Sequence, residues 1–453
     1  VTATMPARQR RPIVASDGVD FLSVWLESSG SRQQAVAKRF NRSGEPRDGS
    51  GVPLANVGTV YETAITDGPG SQMLIVQSSE SGLWAERWSG IAGPLDDGPI
   101  LISSKTNAYP AVVWNGTRYF VVWSEGTQLS GTFVGDDGAV SQTVSLPFAS
   151  ATHDGIPYST SIAWDGRDFL VTVYASDTSV CTTLCVGPLP GELRLFRVSA
   201  EGNVLDVPAI EIPGKHWDAH VASSGSEFLI AFDNAGSVSS MVVHSTTAGV
   251  QLGEETTIFS WPDYVPSGIA WDGSAYVVTW HYAAGNDAWL ATARIDRSGK
   301  VLSTSVATTF PPEPIFGNLT PSIAVNDAGD TAIVVEEATP PSSLSRARAY
   351  FTSEFAPMPP PPAAPGNAVS YLGGSTALIE WQSDGGAMDF VLEKLADGYS
   401  WLRLGTVTGE VRSATVQASV GNLVRVSALG PGGMSSGTIT SIGSSQRRRA
   451  ERP

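Results

Sequence analysis

Short apolar runs recur along the chain, each folded about a tight polar turn. The best copies are Pro12–Trp25, Pro110–Trp123, Thr160–Val173 and Ser267–Trp280, and weaker ones are Ala64–Val76, His220–Phe232 and Ser322–Val335. Within each copy, Val, Ile, Phe, Tyr and Trp flank an Asp-Gly, an Asn-Gly or a related turn, the pattern of a β-hairpin. The turn glycines, Gly18, Gly68, Gly116, Gly166, Gly225, Gly273 and Gly329, recur about every fifty residues. A third run follows in most units, as in Ala35–Phe40, Leu193–Val198 and Ala291–Ile295, and it alternates apolar and polar residues as a half-exposed strand does. A second turn, such as Arg42–Gly44, Asp136–Gly138, Ala200–Gly202 or Arg297–Gly299, leads into a short fourth strand.

Four antiparallel strands per unit, repeated around an axis, match the size of a propeller blade. The chain resembles seven-bladed β-propellers over residues 1–355. The repeat lacks the Gly-His and Trp-Asp pairing of WD blades, the double glycine of kelch, and the spaced Asp and Gly of the sialidase Asp-box. The last unit has three recognisable strands, Pro321–Val325, Ala332–Glu336 and Ser345–Phe351. Residues Thr2–Arg8 are therefore expected to pair with Ser345–Phe351 and close the ring, removing a free edge. The recurrent Trp25, Trp114, Trp123, Trp164, Trp271 and Trp280 are expected to fill the wedges between blades.

A proline-rich stretch, 356–365, reads as a stiff spacer. Beyond it, Ala377–Trp381, Asp389–Lys394, Ser400–Leu404 and Leu423–Ser435 resemble strands of the fibronectin type III family, with Trp381 as the core tryptophan. That resemblance implies a β-sandwich over residues 366–443, although Leu423 stands near the family's usual tyrosine. Residues 444–453 form a basic tail expected to be disordered. The fold class expected is all-β: a seven-bladed propeller plus a C-terminal sandwich.

Composition narrows the function. Of 453 residues, 42% are hydrophobic and 16% charged, enough apolar material for a large core. The net charge of −16 disfavours nucleic acid as a partner. No apolar run is long enough for a membrane span. The two cysteines, Cys181 and Cys185, are spaced to close a small disulfide loop, with free thiols as the alternative. Low lysine and abundant Ser, Thr and Gly point to a secreted or cell-surface protein of bacterial type.

Catalytic signatures are scarce: there is no nucleophile elbow, phosphate loop or zinc-protease helix. His216, Asp218 and His220 alternate on a strand and are weak candidates for a metal, but an extended strand holds the two imidazoles too far apart for one ion. No metal or other cofactor is expected. Acidic turns at Asp136–Gly138 and Asn326–Asp330 read as ordinary turn chemistry rather than calcium loops. Loops on one propeller face carry Trp217, Trp261, Asp263, Tyr264, Tyr282 and Trp289, which are expected to line a ligand face for a glycan or protein. The function expected is a non-enzymatic recognition or adhesion protein, with a polysaccharide-acting enzyme and a structural scaffold as alternatives.

Overall fold

The computed structural model describes residues 7–29, 32–105, 108–125, 128–146, 156–176, 191–234, 237–261, 267–284, 287–310, 321–339, 344–352, 356–373, 375–395 and 401–443. Every regular element among them is a β-strand. The first sheet runs β1 (Arg8–Ser16), β2 (Phe21–Ser29), β3 (Arg32–Phe40) and β4 (Val52–Pro53). The second holds β5 (Val60–Asp67), β6 (Gln72–Ser79), β7 (Gly82–Ser89), β8 (Gly93–Pro94) and β9 (Ile100–Ser103). The third is β10 (Ala108–Trp114), β11 (Arg118–Glu125), β12 (Gln128–Gly135) and β13 (Val144–Leu146). A seven-stranded sheet follows, through β14 (Ile156–Trp164), β15 (Asp168–Ser176), β16 (Gly191–Ser199), β17 (Ile210–Ser223), β18 (Phe228–Asn234), β19 (Ser237–Thr246) and β20 (Gly249–Ser260). Then come β21 (Ser267–Trp271), β22 (Tyr276–Ala284), β23 (Asp287–Ile295) and β24 (Val301–Phe310), and a three-stranded sheet of β25 (Ser322–Val325), β26 (Thr331–Thr339) and β27 (Leu344–Thr352).

The seven-stranded sheet is two repeat units sharing β17. Its first half pairs with β16 and its second half with β18, and His216 sits in both ladders. The first strands of successive units touch in the order β1, β5, β10, β14, β17, β21 and β25, and β25 returns to β1.

The hairpins between first and second strands explain the recurrent turn pair. Gly18, Gly116, Gly166 and Gly273 adopt φ of 91°, 93°, 95° and 89°, a region closed to most side chains. The residue before each glycine caps the turn: Asp17 Oδ1 accepts the N–H of Asp20 at 2.7 Å, and Asn115, Asp165 and Asp272 do the same in their units. Neighbouring sheets then bury one another's faces. Phe120, Phe133, Phe169 and Phe196 form one core between the third sheet and β14–β16, with Phe120 4.7 Å from Phe133 and 4.8 Å from Phe169. Trp88, Trp123 and Trp280 are fully buried, and Trp114, Trp164 and Trp271 each lie against a ring of their own hairpin at 4.7, 4.5 and 4.8 Å. The tryptophans fill space between and within sheets, as expected of packing.

A polar device ties sheets together at their outer rims. Arg39, Arg87 and Arg197 each lie in the third strand of a unit, facing Asp48, Asp96 and Asp206 further along the same unit. The aspartate also accepts the arginine's own backbone N–H, at 2.8, 2.8 and 2.9 Å. The remaining guanidinium nitrogen reaches the next unit's outer turn, where it donates to the carbonyls of Ile91, Asp136 and Thr246. A charge-assisted, forked pair thus fixes each arginine and lets it bridge two sheets.

The chain leaving β27 does not add to its own sheet. The short strand β28 (Ala356–Pro357) pairs instead with β24, and the Met358 N–H donates to Thr304 O at 3.0 Å. The first residues of the segment expected to be a stiff spacer are thus seated on the preceding unit. The remainder forms two sheets: β29 (Gly366–Gly373), β30 (Thr376–Gln382) and β33 (Ser413–Gln417) in one, and β31 (Asp389–Leu395), β32 (Trp401–Thr408), β34 (Leu423–Gly430), β35 (Gly433–Met434) and β36 (Thr438–Ser441) in the other. They share a core in which Trp381 stands 5.3 Å from Phe390. The second sheet presses on the repeat region: Val391 and Leu429 join Phe259, Trp261, Tyr282 and Trp289 in one apolar cluster. Gly433 approaches so closely that a Cβ would stand 2.9 Å from the Phe259 ring, and its φ of 100° suits glycine too.

The expected closure of the ring by Thr2–Arg8 falls mainly outside the described residues. Arg8 itself belongs to β1, opposite Ser28.

Candidate functional site at the mouth of the inner strands

The first strands begin with a repeated irregularity. In β1 the ladder slips between Arg10 and Ile13, leaving Arg11 and Pro12 opposite one residue of β2. The same slip leaves Tyr61 extra in β5, Tyr109 and Pro110 in β10, Tyr158 in β14, and Trp217 and Asp218 in β17. Arg11, Tyr61, Tyr109, Tyr158 and Trp217 lie seven or eight residues before their turn glycines. A bulge leaves the extra residue out of the alternation and re-aims its side chain. One end of the inner ring therefore carries an arginine and a series of aromatic residues at equivalent places. Arg11 and Tyr109 hold φ of 49° and 54°, which most side chains avoid and which recurs at functional positions.

These residues also link adjacent inner strands. The Arg11 guanidinium donates to Tyr61 O at 3.0 Å and ion-pairs with Glu62. The Arg11 backbone N–H donates to Glu336 Oε2 at 3.2 Å, and Arg10 Nε lies 3.7 Å from the other oxygen of that carboxylate. Burial, and next the charge of Arg10, lower the proton affinity of Arg11 below that of an ordinary arginine. Thr160 donates its hydroxyl to Tyr109 O. Tyr61 is 46% exposed and Tyr109 half-buried. The mouth thus offers tyrosine rings beside two arginines, Arg11 ion-paired with Glu62 and Arg10 with Glu336.

On β17 the bulge also decides the fate of the histidine pair. His216 turns inward and is fully buried, 4.8 Å edge-on to Phe232, with Nε2 3.1 Å from Pro213 O. Burial holds its imidazole below the ordinary histidine value. His220 stays with Asp218, Nε2 to Oδ2 at 3.3 Å. Burial opposes its protonation, but the charge and hydrogen bond of Asp218 outweigh burial and raise it. The three weak metal candidates therefore do not form one cluster: His216 packs on Phe232, while Asp218 and His220 stay together. Among the described residues no group of three His, Cys, Asp or Glu side chains could hold a metal.

Three of the aromatics expected on an open ligand face are buried. Trp261, Tyr282 and Trp289 are 5%, 3% and 4% exposed, stacked together beneath the C-terminal sheets. Trp261 lies 5.0 Å and Trp289 5.3 Å from Tyr282, whose hydroxyl donates to Pro431 O. Burial drives the Tyr282 phenol well above its ordinary value. Next to it His281 is pushed down to about 4 by burial and is neutral near pH 7. These rings pack against a neighbouring part of the chain, which their local sequence does not reveal. Of Trp217 only the backbone is described, and Asp263, Tyr264, Cys181 and Cys185 lie outside the described residues. Arg11, Tyr61 and Tyr109 escaped the sequence reading; the one signal was an aromatic or arginine at a constant distance before the turn, followed by proline in Arg11-Pro12 and Tyr109-Pro110.

Among the described residues, no helix is long and apolar enough to cross a membrane. No protein-family model matches the chain, and no curated protein sequence does. Solved structures resemble it in fold. A polysaccharide lyase of family PL25, an ulvan lyase, is similar at TM-score 0.50 and 10% identity, over 79% of this chain and 96% of the lyase; the description of one of its two structures states that it is bound to -[GlcA(1-4)Rha3S]-. Hydrazine synthase of Kuenenia stuttgartiensis aligns over 78% of this chain and 97% of its own at 11% identity and TM-score 0.46. The chain is all-β, with propeller-type structural neighbours.

Proposed function

We propose that the protein is a glycan-recognition propeller that binds neutral sugar at the mouth of its inner strands. The observation that carries this is the set of register slips that presents Arg11, Tyr61 and Tyr109, with Tyr158 and Trp217 at equivalent backbone positions. Tyrosine rings suit the C–H faces of a sugar, and an ion-paired Arg-Glu group offers hydroxyls both donors and acceptors. Because Glu62 and Glu336 already balance Arg10 and Arg11, and the chain is acidic overall, the mouth suits a neutral glycan better than a polyanion. Those carboxylates are engaged in ion pairs, which favours holding a ligand over general acid catalysis.

A seven-bladed ring is the architecture we assign, supported by the closed order of first-strand contacts, with a fibronectin type III-like sandwich after it, supported by the two sheets around Trp381. Secretion or display at the cell surface completes the reading and is supported by composition alone. A second reading, an enzyme acting on polysaccharide, is favoured by the fold likeness to a polysaccharide lyase. A panel of neutral and acidic polysaccharides, assayed for binding by calorimetry and for turnover by released reducing ends and by ultraviolet absorbance of unsaturated products, separates the two. Saturable binding of a neutral glycan without products is expected. Products from any polymer would move the protein to the second reading, and no binding at all would remove the first.

A further inference from the structure

The wedge between the last unit and the first is filled differently from its counterpart between the third sheet and β14–β16. There four rings meet, Phe120, Phe133, Phe169 and Phe196. Tyr119 and Phe169 close their hairpins against Trp114 and Trp164, as Thr331 and Phe21 do against Val325 and Ser16. Counted from those pairs along the ladders, the equivalent positions at the seam are Ala332, Phe351, Phe21 and Lys38. Two of the four rings are thus replaced, one by a methyl group and one by an ammonium group. Val171, opposite Phe196, is likewise replaced by Ser23, opposite Lys38. Interiors relax only partly around lost volume, and a groove of about 320 Å³ lies at this seam, within the range of small-molecule pockets.

The lining has a definite chemistry. Trp25, Phe40 and Phe351 give it three ring walls, with Phe351 5.2 Å from Phe40. Lys38 is half-buried and holds its Nζ 5.6 Å from the centroid of the Phe40 ring. Among the described residues Lys38 has no ion pair and no Asp or Glu lines the groove, in a chain of net charge −16. The carboxylates nearby are engaged elsewhere: Glu337 lies 3.4 Å from Arg348 at the rim of the groove, and Asp48 is forked by Arg39. An ammonium held among rings and away from carboxylates is left to be matched by a negative charge from outside.

We propose that this groove binds a small aryl carboxylate. The flat ring lies among Trp25, Phe40 and Phe351, where offset and edge-on contacts between rings are favourable. The carboxylate meets Lys38 Nζ in a charge-assisted hydrogen bond, with the Ser23 hydroxyl beside it as a further donor. A neutral sugar lacks the charge that Lys38 needs, and a phosphate lacks the flat apolar body that the rings need. The groove lies between the outer strands β3 and β27, whereas the mouth is built on the first strands, so the inference is independent of the glycan reading.

The test uses the full chain, with cinnamate as the probe and cinnamamide as its uncharged counterpart, both titrated by calorimetry. Saturable binding of cinnamate is expected, about tenfold or more tighter than that of cinnamamide, since a hydrogen bond to a charged group is worth about 1.5 kcal/mol or more. Lys38→Met keeps the length of the side chain and removes its charge; it is expected to lower cinnamate affinity about tenfold and to leave cinnamamide unchanged. Ala349→Leu fills the groove and is expected to weaken both probes while the melting curve stays in place. Equal affinity for the two probes, or undiminished cinnamate binding in Lys38→Met, would overturn the role of Lys38. No saturable binding by the wild-type chain, or undiminished binding of both probes by Ala349→Leu, would overturn the site itself.

Discussion

Two groups of aromatic residues lie in the repeat region, and they are used in opposite ways. Phe259, Trp261, Tyr282 and Trp289 stack on one another and are sealed by Val391 and Leu429 of the C-terminal sheets. Tyr61 and Tyr109 sit on slipped first strands, partly open and next to an ion-paired arginine. In the sequence only Trp261, Tyr282 and Trp289 look like ligand-binding aromatics, and Tyr61 and Tyr109 do not stand out. What separates them is what covers them, a long-range property set by where residues far along the chain come to rest.

The comparison can be broken most forcefully at the sealed group. Trp289→Ala is expected to cost about 3–5 kcal/mol of stability, because a large buried ring leaves a cavity, while affinity for a glycan stays unchanged in the protein that remains folded. Denaturant unfolding with parallel binding measurements checks this, and a loss of affinity larger than the loss of folded protein would place the ligand under the C-terminal sheets after all. Next in size is the rim. Arg197 and Asp206 are 6% and 10% exposed at the side chain, so Arg197→Ala strands a buried carboxylate and is expected to cost about 3 kcal/mol. The same change is expected to leave glycan affinity intact, which thermal melting and titration together would verify.

At the mouth the balance reverses. Replacing Tyr61 and Tyr109 together by alanine is expected to weaken glycan binding about tenfold or more, since each stacked ring is worth about 0.5–1.5 kcal/mol, and to move stability by less than about 1 kcal/mol. The smallest effect is set by pH. The Arg39 guanidinium, through its hydrogen bonds, holds the Asp48 carboxyl below the ordinary carboxylate range, despite partial burial. Its contribution is complete above that ordinary range and disappears as pH falls through the lowered folded value. Asp48→Asn should therefore flatten the acid limb of the stability curve, and an identical limb in the variant would show that the pair carries no linkage.

The hairpins were legible because their chemistry is local. Asp17-Gly18, Asn115-Gly116, Asp165-Gly166 and Asp272-Gly273 carry both the cap and the left-handed glycine within a few residues. The strands flanking them are marked by the apolar residues they bury. The rim pairs were harder to see, since Arg39 and Asp48 acquire meaning only when the outer turn of the next unit arrives at Ile91. The slips in the first strands were hidden because a bulge adds one residue without changing composition, and only the constant spacing of Arg11, Tyr61 and Tyr109 from their turns hints at it. The seat of the C-terminal sheets was not legible at all, because nothing in the sequence around Trp261 or Trp289 encodes Leu429.

The most direct test is a calorimetric titration of one neutral glycan that the wild-type protein binds into the Tyr61→Ala, Tyr109→Ala double variant. A binding heat that vanishes or shifts to at least tenfold weaker affinity, with the melting curve in place, is the result expected. Undiminished affinity in that variant would contradict a ligand site at the mouth of the inner strands.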